Sequence, residues 1–554
     1  MPWSQNYDPV GNPVLSTLLA AIPVVVLLGL IASGKMRIHL AACVALAIAL
    51  IVAVAGFGMP LGAAAAAAGY GAAFGLVPVG WMILNLIFLY QMTVEKGWFD
   101  ELRGSFSRMA PDPRIQLVLV AFCFGAFFEG IAGFGAPVAV TSALLIQLGF
   151  RPLEACVLSL IANTAPVAFG SLGIPIVTLN KVTGLGEMTL SQMAGRQLPF
   201  FSAMIPAWII AVHSGWQGLR GAWPAALVSG VSFAFMQFIM SNYHGPMLVD
   251  IVSALFAMIA MGLLLRFWQP KSMDLAAQPS QIAAAAAADA NVSKAEVRRP
   301  LKRAWLPWLI LTSVVFFWSQ PGFKAGLDKI FTRDVPVPAL HLGVVRTPPV
   351  VAAEAATKPE EAVWKVNALS TTGTGILLAA LISGVVMGFS PWRMVQIWLS
   401  TLVKIRLSLV TIACMLALGF VTKYSGSDAT MGLALAHTGW LYPFFGTLLG
   451  WLGVALTGSD TASNVLFGSL QTITAQQVGV SPVLMASANS VGGVMGKMVD
   501  AQSIVVASTA AQVFGHEGEI LRRVFWHSLV LASMVGVLVF LQAYVWPFTQ
   551  MVVK

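Results

Sequence analysis

The sequence predicts an all-α polytopic membrane protein built from two inverted-topology repeats. Three observations predict it. The 554 residues are 58% hydrophobic and only 10% charged, whereas soluble domains run about 25% charged. Apolar stretches long enough to cross about 30 Å of hydrocarbon recur along the chain. And glycine-rich, polar interruptions break long apolar runs in corresponding places of the two halves: Glu129-Gly130-Ile131-Ala132-Gly133-Phe134-Gly135-Ala136-Pro137 and Ala162-Asn163-Thr164-Ala165-Pro166 in the first, Thr457-Gly458-Ser459-Asp460-Thr461-Ala462-Ser463-Asn464 and Ala488-Asn489-Ser490-Val491-Gly492-Gly493 in the second. A broken helix frees backbone groups that lipid cannot satisfy, so such breaks survive only where protein, water or a ligand supplies partners. Paired breaks are the best pointer in a sequence to a transport site.

The elements follow in order. Residues 1–13 hold no Lys or Arg and so lack the positive start of a secretory signal, which makes the run 14–32 a retained helix. Lys35 and Arg37 place the next loop in the cytoplasm and the N-terminus outside. Runs 38–56 and 72–92 cross out and back, ending at Lys96, Arg103, Arg108 and Arg114 on the same side. The segment 116–150 is too long for one crossing and too short for two at about 1.5 Å per residue, so it reads as a re-entrant hairpin opening to the cytoplasm. A broken helix, 152–180, follows, interrupted at 163–166 and again at Gly173 and Pro175. Helices near 198–213, 222–240 and 247–267 complete a first membrane half, 1–270.

A basic, alanine-rich cytoplasmic linker spans 271–303, a membrane helix 304–320, and a polar external loop 321–367. The second membrane half, 368–554, resembles the first upside down: a hairpin at 441–478 opening outside, then a broken helix at 482–514 with its interruption at 489–493. The count is about eleven full crossings plus two hairpins, with both termini outside. Leu148-Gly149-Phe150-Arg151-Pro152 is echoed by Val478-Gly479-Val480-Ser481-Pro482, and Ala162-Asn163-Thr164 by Ala488-Asn489-Ser490, at offsets that differ by about one helical turn.

Half-helix N-termini present free N–H groups and positive dipole ends, a ready anion site. Glycine lets backbone approach a ligand closely. The expected substrate-binding residues are therefore Gly133, Gly135, Asn163, Thr164, Gly458, Ser459, Thr461, Asn489 and Ser490. The competing reading is helix–helix packing, since small residues also line membrane interfaces. Ionisable side chains inside membrane runs are costly. Glu129, Asp460, Asp500 and Lys497 are the expected proton-coupling residues, against the alternative of a fixed ion pair of Lys497 with Asp460 or Asp500. His213 and His437 lie at predicted membrane edges, where interfacial hydrogen bonding suits them.

No enzyme is indicated, and no cofactor or metal site. The four cysteines lie in apolar runs without a C-x-x-C, as buried thiols. Gly496-Lys497 fails as a phosphate loop, because Val491 and Met498 stand where Gly and Ser or Thr are required. The net charge of +9 fits basic cytoplasmic loops and requires no nucleic acid.

Pro2-Trp3-Ser4-Gln5-Asn6-Tyr7, the run Phe128–Ala139 and Thr457–Asn464 resemble the bacterial L-lactate permease family, which includes glycolate permeases, over nearly the whole length. The resemblance implies uptake of L-lactate and related 2-hydroxymonocarboxylates (D-lactate, glycolate) by proton symport through the bacterial inner membrane. It also implies a superfamily fold in which a transport domain moves against a scaffold like an elevator. The implied partners are lactate or glycolate, protons and the lipid bilayer, with a homodimer as the assembly to test. The sequence departs from the family at 274–294 and 324–365. A passive organic-anion channel, a sodium-coupled carboxylate transporter and, last, a membrane-embedded enzyme stand as alternatives.

Overall fold

In a hydrocarbon solvent every backbone N–H and C=O needs an internal partner, so most of the described residues are helical. The computed structural model describes residues 2–33, 36–98, 112–131, 133, 135–270, 302–351, 359–436 and 438–553. Among them, seven helices are long and apolar enough to cross a membrane, or up to nine if each bent pair is one span. The protein is a multi-pass membrane protein. Most of the 271–303 linker, and His437, lie outside the described residues.

The helices form two packed groups. In one, Ile38–Ile51, Leu61–Phe74, Trp81–Glu95, Lys302–Ser319, Thr372–Val386 and Pro391–Ser425 lie against one another. Small residues make this possible. A Cβ on Gly71 would sit 2.7 Å from Ala417 Cα, so the alanine-rich helix Leu61–Phe74 can touch the backbone of Pro391–Ser425. The other group holds two helical hairpins and two broken helices, flanked by Leu198–Tyr243, Val249–Phe267 and Glu517–Tyr544.

The first hairpin runs up through Pro113–Leu117, a π-helical stretch Val118–Phe124 and Gly125–Ile131, then returns as Ala136–Gln147. The second is Tyr442–Thr457 followed by Asp460–Val478. The first broken helix bends by 65° between Pro152–Ala162 and 167–180. The second consists of Pro482–Gly496 and Ala501–Ala510. The units interlock: Ala136–Gln147 packs on Ala501–Ala510, and Gly170–Thr183 packs on Asp460–Val478.

Several expectations change. The expected interruption at 489–493 is unbroken helix, and the break lies at 497–500. Gly492 and Gly496 serve close packing instead: a Cβ on either would strike the carbonyl of Thr447 or Trp451 on the second hairpin. The expected separation of helices at 198–213 and 222–240 takes the form of a kink: within Leu198–Tyr243 two helices meet at Gly215. Its φ of 67° and ψ of −172° are open only to glycine. Not all cysteines are buried: Cys43 is exposed and Cys414 intermediate.

The described part of the 321–367 segment holds regular structure. It holds a helix, Pro321–Ile330, and an antiparallel pair, Arg333–Pro336 with Val363–Val366. Val344–Val345 pairs in parallel with Trp3–Ser4. This anchors the N-terminal segment. The Gln5 amide then donates to the carbonyls of Lys423 and Tyr424, 3.0 Å each, at the C-terminal end of Pro391–Ser425. The Tyr424 carbonyl is among those that a helix end leaves without an intrahelical partner, and the Lys423 carbonyl also accepts from the Gly426 N–H at 3.3 Å.

Candidate functional site

Each hairpin reverses on glycine because only glycine takes a left-handed backbone without strain. The first tip turns through Gly133 (φ 58°) and Gly135 (φ 88°). The second turns at Gly458 (φ 70°), whose N–H closes the preceding helix on Val454 O at 2.8 Å. Ser459 then caps the next helix, its Oγ accepting from the Ala462 N–H at 3.3 Å. In the first broken helix three consecutive residues, Ser171, Leu172 and Gly173, are left-handed (φ 49°, 60° and 75°) before the helix resumes at Ile174. Two of them carry side chains, a strained arrangement of the kind that collects at functional sites. In the second, Asp500 caps Ala501–Ala510 through a 2.7 Å bond from the Ser503 N–H.

These interruptions meet around one cavity of about 30 Å³. The first half lines it with Glu129, Val167, Gly170, Ser171, Ile174 and Pro175, the second with Gly458, Ser459, Asp460, Thr461 and Lys497. A site for one water takes about 10–15 Å³ on this measure, so the walls must part to admit a six-heavy-atom hydroxyacid. Two helix N-termini, those beginning near Ile174 and at Asp460, point their dipoles here. Glu129 Oε2 accepts from Asn163 Nδ2 at 3.1 Å. Asp460 Oδ2 accepts from the Ser490 hydroxyl, while its Oδ1 has no partner among the described residues. The Lys497 ammonium donates to the Gly458 carbonyl at 2.6 Å and stands 3.2 Å from Asp500 Oδ2.

Of the residues singled out from the sequence, Glu129, Gly458, Ser459, Asp460, Thr461 and Lys497 line the cavity. The others stand behind it. Asn163 and Ser490 hold the two carboxylates, and Asp500 stands beside the ammonium. Gly133 leaves no room for a Cβ between Ser171 and Glu129, and Gly135 approaches Val506. Thr164 bonds back to the Ile161 carbonyl at 2.7 Å. Asn489 is enclosed in a network, donating to Asn464 Oδ1 at 2.9 Å and accepting from Gln471 Nε2 at 3.1 Å. His213 bonds Glu154 at 2.6 Å.

Sequence reasoning missed three features. Ser171 lines the cavity, and only its neighbours Gly170 and Gly173 hinted at it. Asn464 crosses between the halves to the Pro175 carbonyl at 3.2 Å. Asp250, 1% exposed, has neither carboxylate oxygen hydrogen-bonded among the described residues. It backs the first hairpin so closely that a Cβ on Gly130 would lie 2.8 Å from its own Cβ.

Comparison with known proteins fits this geometry. The L-lactate permease family matches residues 16–546. The chain belongs to the L-lactate permease family. It is 45% identical over 562 residues to the glycolate permease GlcA of Escherichia coli (strain K12), covering 100% of both chains. It is 46% identical over 553 residues to an L-lactate permease of Salmonella typhimurium, covering 98% of each. An L-lactate permease of Bacillus subtilis is 42% identical over 565 residues, which is 98% of this chain and 99% of that one. Membership of this permease family makes the chain a transporter and not an enzyme.

Proposed function

We propose that the protein imports L-lactate and related 2-hydroxymonocarboxylates, D-lactate and glycolate among them, by proton symport across the bacterial inner membrane. The observation that carries this reading is a polar cavity lined by both halves, where helix N-termini and one ammonium face two buried carboxylates. N-termini and Lys497 suit a carboxylate anion. Ser459, Thr461 and Ser171 supply hydroxyls within the same wall for a 2-hydroxyl group.

Coupling follows from charge. The inside-negative potential opposes entry of a monoanion by about 2.3 kcal/mol per 100 mV. One proton carried with each anion removes that opposition. The carrier is proposed to be one of Glu129, Asp460 and Asp500, because protonating a carboxylate beside the anion removes a like charge, and by reciprocity the anion favours protonation. The family relatives named for lactate and glycolate support the substrate class. The two substrates differ by one methyl, which a pocket distinguishes by only about 1–3 kcal/mol.

The movement that exposes the cavity to each side in turn is proposed to be elevator-like. The site-bearing hairpins and broken helices would act as the transport domain, and the group around Pro391–Ser425 as the scaffold. The two halves would then be inverted repeats. Uptake into proteoliposomes tests the function. An inward pH gradient without sodium should concentrate labelled lactate, with glycolate and D-lactate competing. Uptake that only equilibrates would mean a channel, and uptake that requires sodium would mean sodium coupling.

A further inference from the structure

We propose that Lys497 is the residue that takes the substrate carboxylate, and that Asp500 holds its place between transport events, leaving the ammonium and taking up a proton when the substrate arrives. The inference rests on the symport reading above and assigns it a charge-exchange step.

Lys497 sits in the break between Pro482–Gly496 and Ala501–Ala510, with its side chain 4% exposed. Among the described residues lining the cavity it is the one cation, facing Glu129 from the first hairpin and Asp460 from the second. Partial charges at helix ends attract an anion, but two carboxylates in the same wall repel it. A full positive charge is what lets an anion settle there.

The ammonium is only part-engaged. It carries three donors. One reaches the Gly458 carbonyl at 2.6 Å. Asp500 Oδ2 is 3.2 Å away, yet accepts no hydrogen bond among the described residues. Asp500 Oδ1 is engaged elsewhere, on the Ser503 N–H. With contacts to the Gly458 carbonyl and to Asp500, the three-donor ammonium keeps a donor for an oxygen entering from the cavity, and its ion pair with Asp500 is one that a second carboxylate can displace.

The exchange balances. Without substrate, the ammonium and the Asp500 carboxylate sum to zero. When the substrate carboxylate pairs with Lys497, Asp500 is left buried without a counter-charge, and an ionised carboxylate in that position is costly. It takes one proton. The site then holds an ammonium, a substrate carboxylate and a neutral Asp500, again summing to zero. One proton accompanies one anion and no net charge crosses. Glu129 and Asp460 face the same ammonium across the cavity, and Asp250 stands behind the first hairpin. If ionised, Glu129 or Asp460 would compete for Lys497 as Asp500 does, so the exchange runs with both protonated.

The test uses the purified full-length protein. Lactate binding is measured together with proton uptake from a weakly buffered solution, for wild type, Lys497→Gln, Lys497→Arg and Asp500→Asn. Asparagine keeps the cap on Ser503, so Asp500→Asn removes the charge while preserving the helix start. Wild type should prefer lactate over the neutral analogue lactamide. Lys497→Gln should lose at least about tenfold in lactate affinity and lose that preference. Lys497→Arg should keep the preference. Asp500→Asn should take up one proton fewer per lactate bound, and should bind lactate more tightly than wild type above neutral pH. Unchanged proton uptake in Asp500→Asn, or a folded Lys497→Gln that still prefers lactate, would overturn the proposal. Should Lys497→Gln not fold, the Asp500→Asn proton count and the preference of Lys497→Arg still decide. Wild-type vesicles that take up no lactate under a pH gradient would instead sink the symport reading itself.

Discussion

The two hairpin-and-broken-helix units have similar outlines and unequal chemistry. The first offers the cavity a carboxylate, a glycine, one hydroxyl and backbone turned left-handed over Ser171, Leu172 and Gly173. The second offers two hydroxyls, a carboxylate and an ammonium, all within or beside a capped helix start. The first break is long and bends the chain by 65°, whereas the second is a short, tightly held link at 497–500. One unit shapes the site through backbone, and the other supplies most of its polar side chains. The same order of hairpin and broken helix in two units does not make their residues interchangeable.

The largest expected effect sharpens that contrast. Glu129→Gln and Asp460→Asn each remove one carboxylate, one from each unit. Each variant should still exchange internal for external lactate. If either carboxylate carries the coupled proton, its variant should lose all accumulation driven by a pH gradient. If both variants concentrate lactate normally, the proton travels by Asp500 alone. If both fail to accumulate, both units are needed for coupling.

Next is Ser459→Ala, compared with Asn163→Ala. Ser459 both lines the cavity and caps its helix. Its loss should weaken lactate binding about tenfold and lower stability by about 1 kcal/mol. Asn163 touches Glu129 and not the cavity. Its removal should therefore alter the pH dependence of uptake more than the affinity at low pH. Equal affinity losses in both variants would place Asn163 in contact with substrate after all.

Asn489→Ala and Gly492→Ala should act on folding before they act on transport. The first removes one partner each from Asn464 and Gln471 in a buried network, and the second forces a Cβ onto the Thr447 carbonyl. Each should cost about 1–3 kcal/mol. Thermal unfolding of the purified protein reads this. A normal melting temperature with weakened lactate binding would return Asn489 to the binding site.

The smallest effect is expected at Gln5→Ala, far from the cavity. It uncovers the Lys423 and Tyr424 carbonyls at one helix end. The loss should be about 0.5–1.5 kcal/mol, with lactate affinity unchanged. A change in affinity would mean that the N-terminal segment also governs the movement of Pro391–Ser425.

Apolar run lengths and the charge of the loops were sufficient to expect a multi-pass helical membrane protein, because hydrocarbon permits so few backbone solutions. The motif Gly458-Ser459-Asp460 announced both a reversal and a helix start, since left-handed glycine and serine capping are local properties. Where the second helix breaks was a tertiary matter. Gly492, Gly493 and Gly496 read equally well as a break or as a contact, and the difference lies in what stands opposite them, here the backbone of Thr447 and Trp451 and the Asp460 side chain. The same is true of the site. Asp250 and Ser171 acquire their positions from helices distant in sequence, and Asn489 faces a network and not the cavity because Gln471 and Asn464 reach it first. Local signals set where a chain can turn. Only packing decides which polar atoms are left unpaired to meet a ligand, because a polar group's partners in a folded chain come mainly from elsewhere in it.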